Sequence, residues 1–233
     1  MDTDRVAVAT MTWARSPAEE GLLRRSLGLL ARLGLPVAIA DRGTNPGFAE
    51  FLRTVPGFSM RISSTQGLVA QVQDGFDAAA RFDRPFILYV EPDKELFFER
   101  QLSDFLRQAP DTGDVGVVLA SRSAGSLRTF PAVQRYTEGV INHLCGELLG
   151  PAGDYSYGPF LMNRGLLPYI ANLHPRLGWG WRHFMFRAAS REGLSVLHAV
   201  GDYPCPPGQR CEDEAERRHR MRQLSENILG LIE

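Results

Sequence analysis

The sequence predicts an α/β fold in a single domain, built on a mixed, mostly parallel central sheet flanked by helices. Short apolar runs that are typical of strands alternate with amphipathic segments that are typical of helices. A chain of 233 residues with 44% hydrophobic and 23% charged positions is the right size for one sizeable core. The sequence shows no internal repeat, low-complexity tract or linker that would divide it.

The first half of the chain begins with a β-α-β unit. Residues 5–11 form a short β-branched run, and Ser16 with Pro17 is a strong helix start. Leucines then recur at three- and four-residue spacing until Gly34, and residues 37–40 form a second apolar strand. The same alternation predicts helices at residues 48–55, 68–81 and 99–109 and strands at residues 58–62, 86–90 and 115–121.

The second half is less regular. A polar loop at 123–128 precedes a predicted helix at 132–149, and residues 153–163 are rich in glycine and tyrosine. The remaining predicted elements are a helix at 182–192, a strand at 195–200 and a charged helix from about residue 212.

Charge and hydropathy exclude some classes of protein. The net charge is −1, with 26 basic and 27 acidic residues, so nucleic acid is not an expected partner. The longest strand-like apolar run, residues 86–90, is far shorter than the roughly 20 residues of a membrane helix. The N-terminus lacks a basic and apolar signal pattern, so we expect a cytoplasmic protein without a membrane span. A homo-oligomer is compatible with the sequence.

The three cysteines, Cys145, Cys205 and Cys211, form an odd set that cannot be a closed disulfide framework. Cys205 and Cys211 are zinc-ligand candidates, but their spacing is wider than that of usual zinc sites. Reduced thiols are therefore the favoured interpretation.

Ligands of parallel sheets bind outside the carboxyl ends of the strands. Thr12 and Arg15 follow the first predicted strand and are candidates for nucleotide contacts. Asp41 follows the second strand, where its carboxylate would accept hydrogen bonds from a base or ribose. Asp41 is equally suited to a turn or a helix cap, and the segment alone does not decide between these roles.

The segment Glu91-Pro92-Asp93 follows the apolar strand at residues 86–90. Two carboxylates one residue apart supply the hard oxygen ligands that Mg²⁺ or Mn²⁺ prefers, and the cation would neutralise a diphosphate. The alternative is a solvated turn at Pro92, with Lys94 screening the acids. The apolar character of the preceding strand favours the metal site.

These segments resemble the pattern of glycosyltransferase family 2, in which a glycine-containing loop and a helix precede the strand that carries an Asp-any-Asp metal motif. The matching segments are Gln66-Gly67, Gly75 to Ala79, the strand at 86–90 and Glu91-Pro92-Asp93. Asp41-Arg42-Gly43-Thr44 is similar to the Asp-Asp-Gly-Ser segment of the family. Glu91 replaces the first Asp of the metal motif and Arg42 replaces the second acid, which leaves donor identity open.

The resemblance implies the GT-A fold, a nucleotide-sugar donor and a divalent metal, Mn²⁺ or Mg²⁺. It implies a nucleotide-sugar-binding half at about 1–121 and an acceptor-building half at about 122–233. The implied donor-binding residues in the first half are Thr12, Arg15, Asp41, Gly67, Gln71 and Glu91.

The sequence specifies the catalytic mechanism less well than it specifies the donor site. The segment Gly178-Trp179-Gly180-Trp181-Arg182-His183 has no acid where inverting members of the family carry a general base. Either His183, Asp154 or Asp202 takes the proton of the acceptor hydroxyl, or the enzyme retains configuration. The predicted catalytic residues are Asp93, His183 and Asp154. Arg122 and Arg128 are candidates for binding an anionic acceptor.

The C-terminal segment at residues 217–224 contains His219-Arg220-Met221-Arg222. It is similar to retaining GT-A enzymes of the glucosyl-3-phosphoglycerate and mannosylglycerate synthase type. That similarity implies that His219 joins Glu91 and Asp93 as a metal ligand, and that Arg220 or Arg222 meets donor phosphate or an acidic acceptor. The alternative is a solvated helix face, paired with acids one turn earlier.

The predicted function is transfer of a hexose from a GDP- or UDP-sugar to an acceptor hydroxyl. A nucleotidyltransferase that makes a nucleotide-sugar is one alternative, but it would need a glycine-rich loop after the first strand, and residues 12–17 lack glycine. A non-catalytic nucleotide-sugar-binding or scaffold protein is the other alternative.

Overall fold

The computed structural model describes residues 1–63, 65–210 and 212–233, and these form one seven-stranded sheet in the order β3-β2-β1-β4-β6-β5-β7. Cys211, the second zinc-ligand candidate, lies outside the described residues. The strands are β1 (Val6–Thr12), β2 (Val37–Asp41), β3 (Phe58–Ile62), β4 (Phe86–Tyr89), β5 (Val115–Arg122), β6 (Phe160–Asn163) and β7 (Ser195–Gly201). Strands β1 to β4 are parallel, and β5 is parallel to β7.

The helices flank both faces of the sheet. They are α1 (Pro17–Ala31), α2 (Pro46–Thr54), α3 (Leu68–Ala80), α4 (Leu102–Gln108), α5 (Ala124–Leu127), α6 (Ala132–Leu149), α7 (Leu167–Ala171), α8 (Trp181–Arg191) and α9 (Glu214–Ile232). Helix α1 begins as predicted, with the Ser16 hydroxyl accepting from the Glu19 N–H at 3.2 Å and Pro17 in the first turn.

Two apolar cores separate the helices from the sheet. One core contains Leu27 of α1, Phe48 of α2 and Phe105 of α4. The other contains Phe76 of α3 and Trp181 of α8, together with residues of α6 and α9. This three-layer arrangement confirms the predicted fold class. In the described part of the chain, no helix combines the length and the apolarity needed to cross a membrane.

The sequence did not indicate β6, α5 or α7. Residues 160–163 belong to the glycine- and tyrosine-rich segment, yet they form an antiparallel strand between β4 and β5. This strand is only four residues long, and its hydrogen bonds come from neighbours on both sides, so its own sequence carries a weak signal. Helix α5 is a single turn inside the predicted loop, capped by the Ser123 hydroxyl, which accepts from the Ser126 N–H at 3.1 Å.

Candidate functional site

Three adjoining cavities lie at the carboxyl ends of the central strands. The strand-end cavity, about 430 Å³, is bordered by Thr12, Arg15, Gln71 and Trp179. The central cavity, about 670 Å³, lies between the end of β5, α6, α8 and α9. The proline-lined cavity, about 450 Å³, is bordered by Pro204, Pro206 and Pro207. Asp93 lines all three cavities, which places the predicted metal motif at their junction.

The two acids of that motif differ in their surroundings. Glu91 Oε1 accepts from Arg182 Nη1 at 3.0 Å, whereas Glu91 Oε2 is buried and has no hydrogen-bond partner among the described residues. A Cβ atom on Gly158 would overlap the Glu91 carboxylate, so glycine is required for this close approach. The Asp93 carboxylate is half-buried and has no hydrogen bond or ion pair with any described residue. Asp93 therefore offers the more available oxygen atoms.

Asp41 holds the end of β2 in place. Its carboxylate is 0% exposed and accepts from the Thr12 hydroxyl at 2.7 Å, the Thr44 hydroxyl at 2.7 Å, and the Gly43 and Thr44 N–H groups. The geometry therefore does not support the predicted direct contact of Asp41 with a nucleoside. The turn alternative describes this residue, because a short acceptor side chain satisfies the backbone of its own loop.

Gln71 ties the ends of the first two strands together. Its Nε2 donates to the Thr12 carbonyl at 2.8 Å and to the Ala40 carbonyl at 2.7 Å. Gln71 and Thr12 also line the strand-end cavity. Gly67 precedes the first residue of α3 at a φ of 118°, a conformation that favours glycine. The roles predicted for these three residues in donor binding remain predictions.

An aromatic surface borders the strand-end cavity at Trp13. This side chain is 47% exposed, and the guanidinium groups of Arg15 and Arg42 lie over its ring at 5.4 Å and 4.5 Å. Arg15 also pairs with Glu19 at 2.7 Å, and hydrogen bonds from Arg15 lower the pKa of Glu19. The exposed indole can stack on the planar base of a nucleotide, and the two neighbouring cations can attract the phosphates of the same nucleotide.

Asp154 is not placed as a general base. Its carboxylate is buried and accepts from Arg122 Nε at 2.6 Å, from Arg122 Nη2 at 3.0 Å, from Asn142 and from the Ser156 N–H. Burial by itself raises the pKa of Asp154, but the charge and hydrogen bonds of Arg122 outweigh it and leave the pKa below its usual value. The geometry does not support the predicted catalytic role of Asp154, because this acid holds Arg122 and does not line the central cavity.

Arg122 is held on two sides. Its Nη2 also donates to Glu138 Oε2 at 2.6 Å, and its guanidinium lies 4.4 Å from the centre of the Phe130 ring. Arg122 lines the central cavity, as predicted for an acceptor-side residue, although two carboxylates already neutralise its charge. Arg128, the second candidate for an acceptor anion, is exposed outside the lining of this cavity.

His183 lies in the core. It is 0% exposed in α8 and packs edge-on against Phe186, with 5.5 Å between ring centres. Burial lowers the pKa of His183 to about 3, and the adjacent charge of Arg182 adds to this effect. The geometry does not support the predicted catalytic role of His183, since its ring is buried against Phe186 and does not line the central cavity.

Arg182 is a functional candidate whose role the sequence did not indicate. It is buried, pairs with Glu91 and lines the central cavity, with its guanidinium 5.5 Å from the centre of the Trp179 ring. The signal available in the sequence is that Arg182 belongs to the segment at residues 178–183, where inverting members of the resembling family carry a general base.

Helix α9 presents two of its three predicted site residues to the central cavity. His219 and Arg220 line it, and Arg220 pairs with Glu216 at 2.7 Å and lies 4.0 Å from Glu138. Arg222 is exposed and outside the cavity lining. The contact predicted for Arg222 is not supported, because residues two apart on a helix point to different faces.

The predicted metal ligands border one cavity without forming a coordination cluster. Glu91, Asp93 and His219 all line the central cavity. Across residues 1–63, 65–210 and 212–233, no three His, Cys, Asp or Glu side chains come close enough to hold a metal ion. The free Asp93 carboxylate and the unpaired Glu91 Oε2 are nevertheless oxygen donors that suit Mg²⁺ or Mn²⁺.

The fold is similar to solved structures of sugar-transferring enzymes. Glucosyl-3-phosphoglycerate synthase from Mycobacterium tuberculosis, in complex with Mn²⁺, UDP and glucosyl-3-phosphoglycerate, matches with a TM-score of 0.65 and 14% identity, over 97% of this chain and 79% of that chain. Mannosyl-3-phosphoglycerate synthase from Rubrobacter xylanophilus matches with a TM-score of 0.62 and 14% identity, over 97% and 72%. No protein-family profile and no curated protein matches the sequence. The predicted GT-A fold is thereby confirmed.

Proposed function

We propose that this protein is a metal-dependent glycosyltransferase that moves a hexose from a UDP- or GDP-sugar to an acceptor hydroxyl. The observation that carries the proposal is the position of Asp93, whose unpaired carboxylate lies where the strand-end and central cavities meet. A transferase needs donor and acceptor on either side of the bond that is exchanged, and this junction provides that arrangement. The structural similarity to UDP- and Mn²⁺-bound synthases supports the same proposal.

The proposal assigns the donor to the strand-end cavity and the acceptor to the central cavity. Trp13 offers a stacking surface for the base, and Thr12, Gln71 and Leu68 line the wall beside it. Gly67 directly precedes Leu68 at the start of α3. This division follows the predicted halves at 1–121 and 122–233, except that Trp179 lines both cavities.

Asp93 would hold a divalent cation, Mn²⁺ or Mg²⁺. Glu91 and His219 line the same cavity and would join as ligands only after their side chains move closer to Asp93. The cation would stabilise the negative charge of the departing nucleoside diphosphate. Arg220 is available to the same phosphates from α9, and Arg182 keeps Glu91 turned toward the cavity through their 3.0 Å ion pair.

In the transfer, the bond between the anomeric carbon and the diphosphate oxygen breaks. A bond forms between that carbon and the acceptor oxygen, and the hydroxyl proton passes to the departing diphosphate. Among the bases considered, His183 and Asp154 are buried, and Asp202 accepts from the Ser126 hydroxyl. None of the three lines the central cavity, which favours the retaining alternative over a transfer that uses one of them.

The test is substitution of Asp93 by Asn, which keeps the shape of the side chain and removes its charge. We expect Mn²⁺-dependent binding of UDP-glucose or GDP-mannose to weaken at least about tenfold, because metal affinity depends on ionised ligands. Asp104→Asn on the exposed face of α4 is the matched control and should bind like the wild type. If Asp93→Asn leaves Mn²⁺-dependent binding of every nucleotide-sugar tested unchanged, the proposal fails.

A further inference from the structure

The charges around the central cavity do not form a site for an anionic acceptor. The described lining contains five carboxylates: Glu91, Asp93, Glu138, Asp213 and Glu216. It contains four lysine or arginine side chains: Lys94, Arg122, Arg182 and Arg220. A divalent cation and a nucleoside diphosphate carry opposite charges of similar size, so binding both would leave this slight excess of negative charge in place.

Three of the cationic side chains that line the central cavity already have partners within the protein. Arg182 pairs with Glu91 at 3.0 Å, and Arg220 pairs with Glu216 at 2.7 Å. Lys94 donates to the Tyr157 carbonyl at 3.3 Å and lies 4.7 Å from the centre of the Tyr157 ring. Each of these side chains keeps further N–H groups. The charges of Arg182 and Arg220 are already balanced by carboxylates, however, which weakens their attraction for an additional anionic acceptor.

Arg122 keeps one unused donor. Its side chain is 0% exposed and bonded to Asp154 and Glu138, yet its Nη1 atom has no hydrogen-bond partner among the described residues. A buried donor without a partner is costly, so an oxygen atom of a ligand is the natural partner once a small side-chain shift exposes Nη1 to the cavity. Because two carboxylates balance the charge of Arg122, a neutral hydroxyl or ether oxygen suits this donor better than an anion.

The proline-lined cavity continues the central cavity away from α9. The two share six residues in their walls: Asp93, Lys94, Phe130, Tyr157, Gly208 and Gln209. The other walls of the proline-lined cavity are mostly apolar, and their charged residues, Arg25 and Glu95, pair with each other at 3.3 Å. The apolar residues are Leu22, Leu96, Phe97, Pro204, Pro206 and Pro207. A molecule whose hydroxyl lies in the central cavity can therefore bury an apolar group next to it.

We propose that the acceptor is an uncharged, hydroxyl-bearing molecule that carries an apolar group, such as an alkyl or aryl glycoside, and is neither a phosphate nor a carboxylate. The proposal rests on the proposed glycosyltransferase function. A polar oxygen of the acceptor accepts from Arg122 Nη1, and its apolar group occupies the proline-lined cavity. This acceptor differs in class from the phosphoglyceric acid bound in the structurally similar synthase.

Calorimetric titration of the full chain, with Mn²⁺ and UDP present, tests this with three probes. Phenyl glucoside is uncharged and carries an apolar group, methyl glucoside lacks the large apolar group, and phosphoglyceric acid is an anion. We expect phenyl glucoside to bind about tenfold more tightly than methyl glucoside, and phosphoglyceric acid to bind most weakly. Tightest binding of phosphoglyceric acid, equal binding of the two glucosides, or binding of neither glucoside would overturn the proposal.

Glu138→Gln tests whether the negative charge of the cavity excludes anions, because it removes a charge while nearly keeping the shape of the side chain. It removes one negative charge beside Arg122 and Arg220 while keeping an acceptor oxygen, so affinity for phosphoglyceric acid should rise about tenfold. Glu147→Gln, on the exposed surface of the same helix, should leave all three affinities unchanged. An unchanged affinity of Glu138→Gln for phosphoglyceric acid would contradict the charge argument.

Leu96→Gln introduces a polar group into the proline-lined cavity and should remove most of the preference for phenyl over methyl glucoside, whereas Leu148→Gln on the surface should not. A full preference in Leu96→Gln would contradict the placement of the apolar group. UDP binding with Mn²⁺ is measured on every variant as a check of folding. If the wild type does not bind UDP in the presence of Mn²⁺, the proposed glycosyltransferase function is refuted. If the wild type binds UDP but prefers phosphoglyceric acid to the glucosides, only the proposal of an uncharged acceptor is refuted.

Discussion

Arg122 illustrates how this protein uses charge within its interior. Burial by itself lowers the pKa of this guanidinium, but Glu138 and Asp154 outweigh it, and the pKa lies above its ordinary value. The cluster therefore stays ionised, and it joins the end of β5 to α6 and to the loop before β6. A network held by several charge-assisted hydrogen bonds forms a rigid wall for a ligand and a poor source of exchangeable protons.

His183 gives a testable dependence of stability on pH. The pKa of His183 is about 3 in the folded protein, below the value of about 6.5 in an unfolded chain. Because the unfolded state binds the proton more readily, the free energy of unfolding should fall as pH drops from about 6.5 toward 3, by up to about 1.4 kcal/mol per unit. Chemical denaturation at several pH values measures this slope for the wild type and for His183→Leu.

The His183→Leu variant should lack this part of the pH dependence of the unfolding free energy, because a leucine side chain cannot bind a proton. His143→Gln serves as the control, since His143 is exposed on α6 and its replacement should leave the slope as in the wild type. An identical slope for the wild type and His183→Leu would show that His183 does not titrate in this way.

For single residues, the sequence indicated which positions belong to the site better than it indicated what each side chain does there. Asp93 was identified because two acids after an apolar strand are unusual, and that signal is local. Arg182 and His183 are consecutive, and a helix turns about 100° per residue, so one of them faces the cavity and the other the core. Only the packing of α8 decides which one, and packing depends on residues far away in the chain.

Among the elements, α9 has the most demanding contact. Gly180 and Gly230 approach so closely that a Cβ atom on either would overlap the backbone across the contact. Glu226 of α9 also accepts from the Trp179 N–H at 2.9 Å. Because α9 carries His219 and Arg220, and the turn before α8 carries Trp179, this contact sets the distance between two walls of the central cavity.

Gly230→Ala should separate the two elements. We expect a loss of about 1–3 kcal/mol in the free energy of unfolding, the usual effect of overpacking, together with weaker Mn²⁺-dependent nucleotide binding. Gly139→Ala on α6 is the matched control: an added Cβ there meets no atom within 4 Å, and it should gain about 0.4–1 kcal/mol. Chemical denaturation and calorimetry check both results, and a Gly230→Ala variant as stable as the wild type would contradict the contact.

Elements with local signals were predictable, and those that depend on partners were not. The caps and periodic leucines of α1 mark it in the sequence, and its start matches the structure. Strand β6 has no comparable signal, because its pairing with β4 and β5 comes from segments about 40 to 75 residues earlier in the chain. The same holds for the proximity of Gly180 to Gly230, which no spacing in the sequence reveals.

At the scale of the molecule, the predicted halves meet at one site. The first half supplies Asp93 and most of the strand-end cavity, and the second supplies Arg122, Arg182 and most of the central cavity. The sheet order, in which β4 adjoins β6 and β6 adjoins β5, brings the halves together through an antiparallel strand. A ligand that contacts both halves should therefore stabilise the whole domain.

UDP and Mn²⁺ should stabilise the protein cooperatively. A ligand at 100 times its Kd adds about 2.7 kcal/mol to the free energy of unfolding. In a chain of this size that raises Tm by roughly 5–10 °C. Because Asp93 and the diphosphate would share the cation, UDP or Mn²⁺ alone should give a much smaller shift than the two together, in keeping with reciprocal linkage. Thermal unfolding with each ligand and with both measures this, and shifts that merely add would show that metal and nucleotide bind independently.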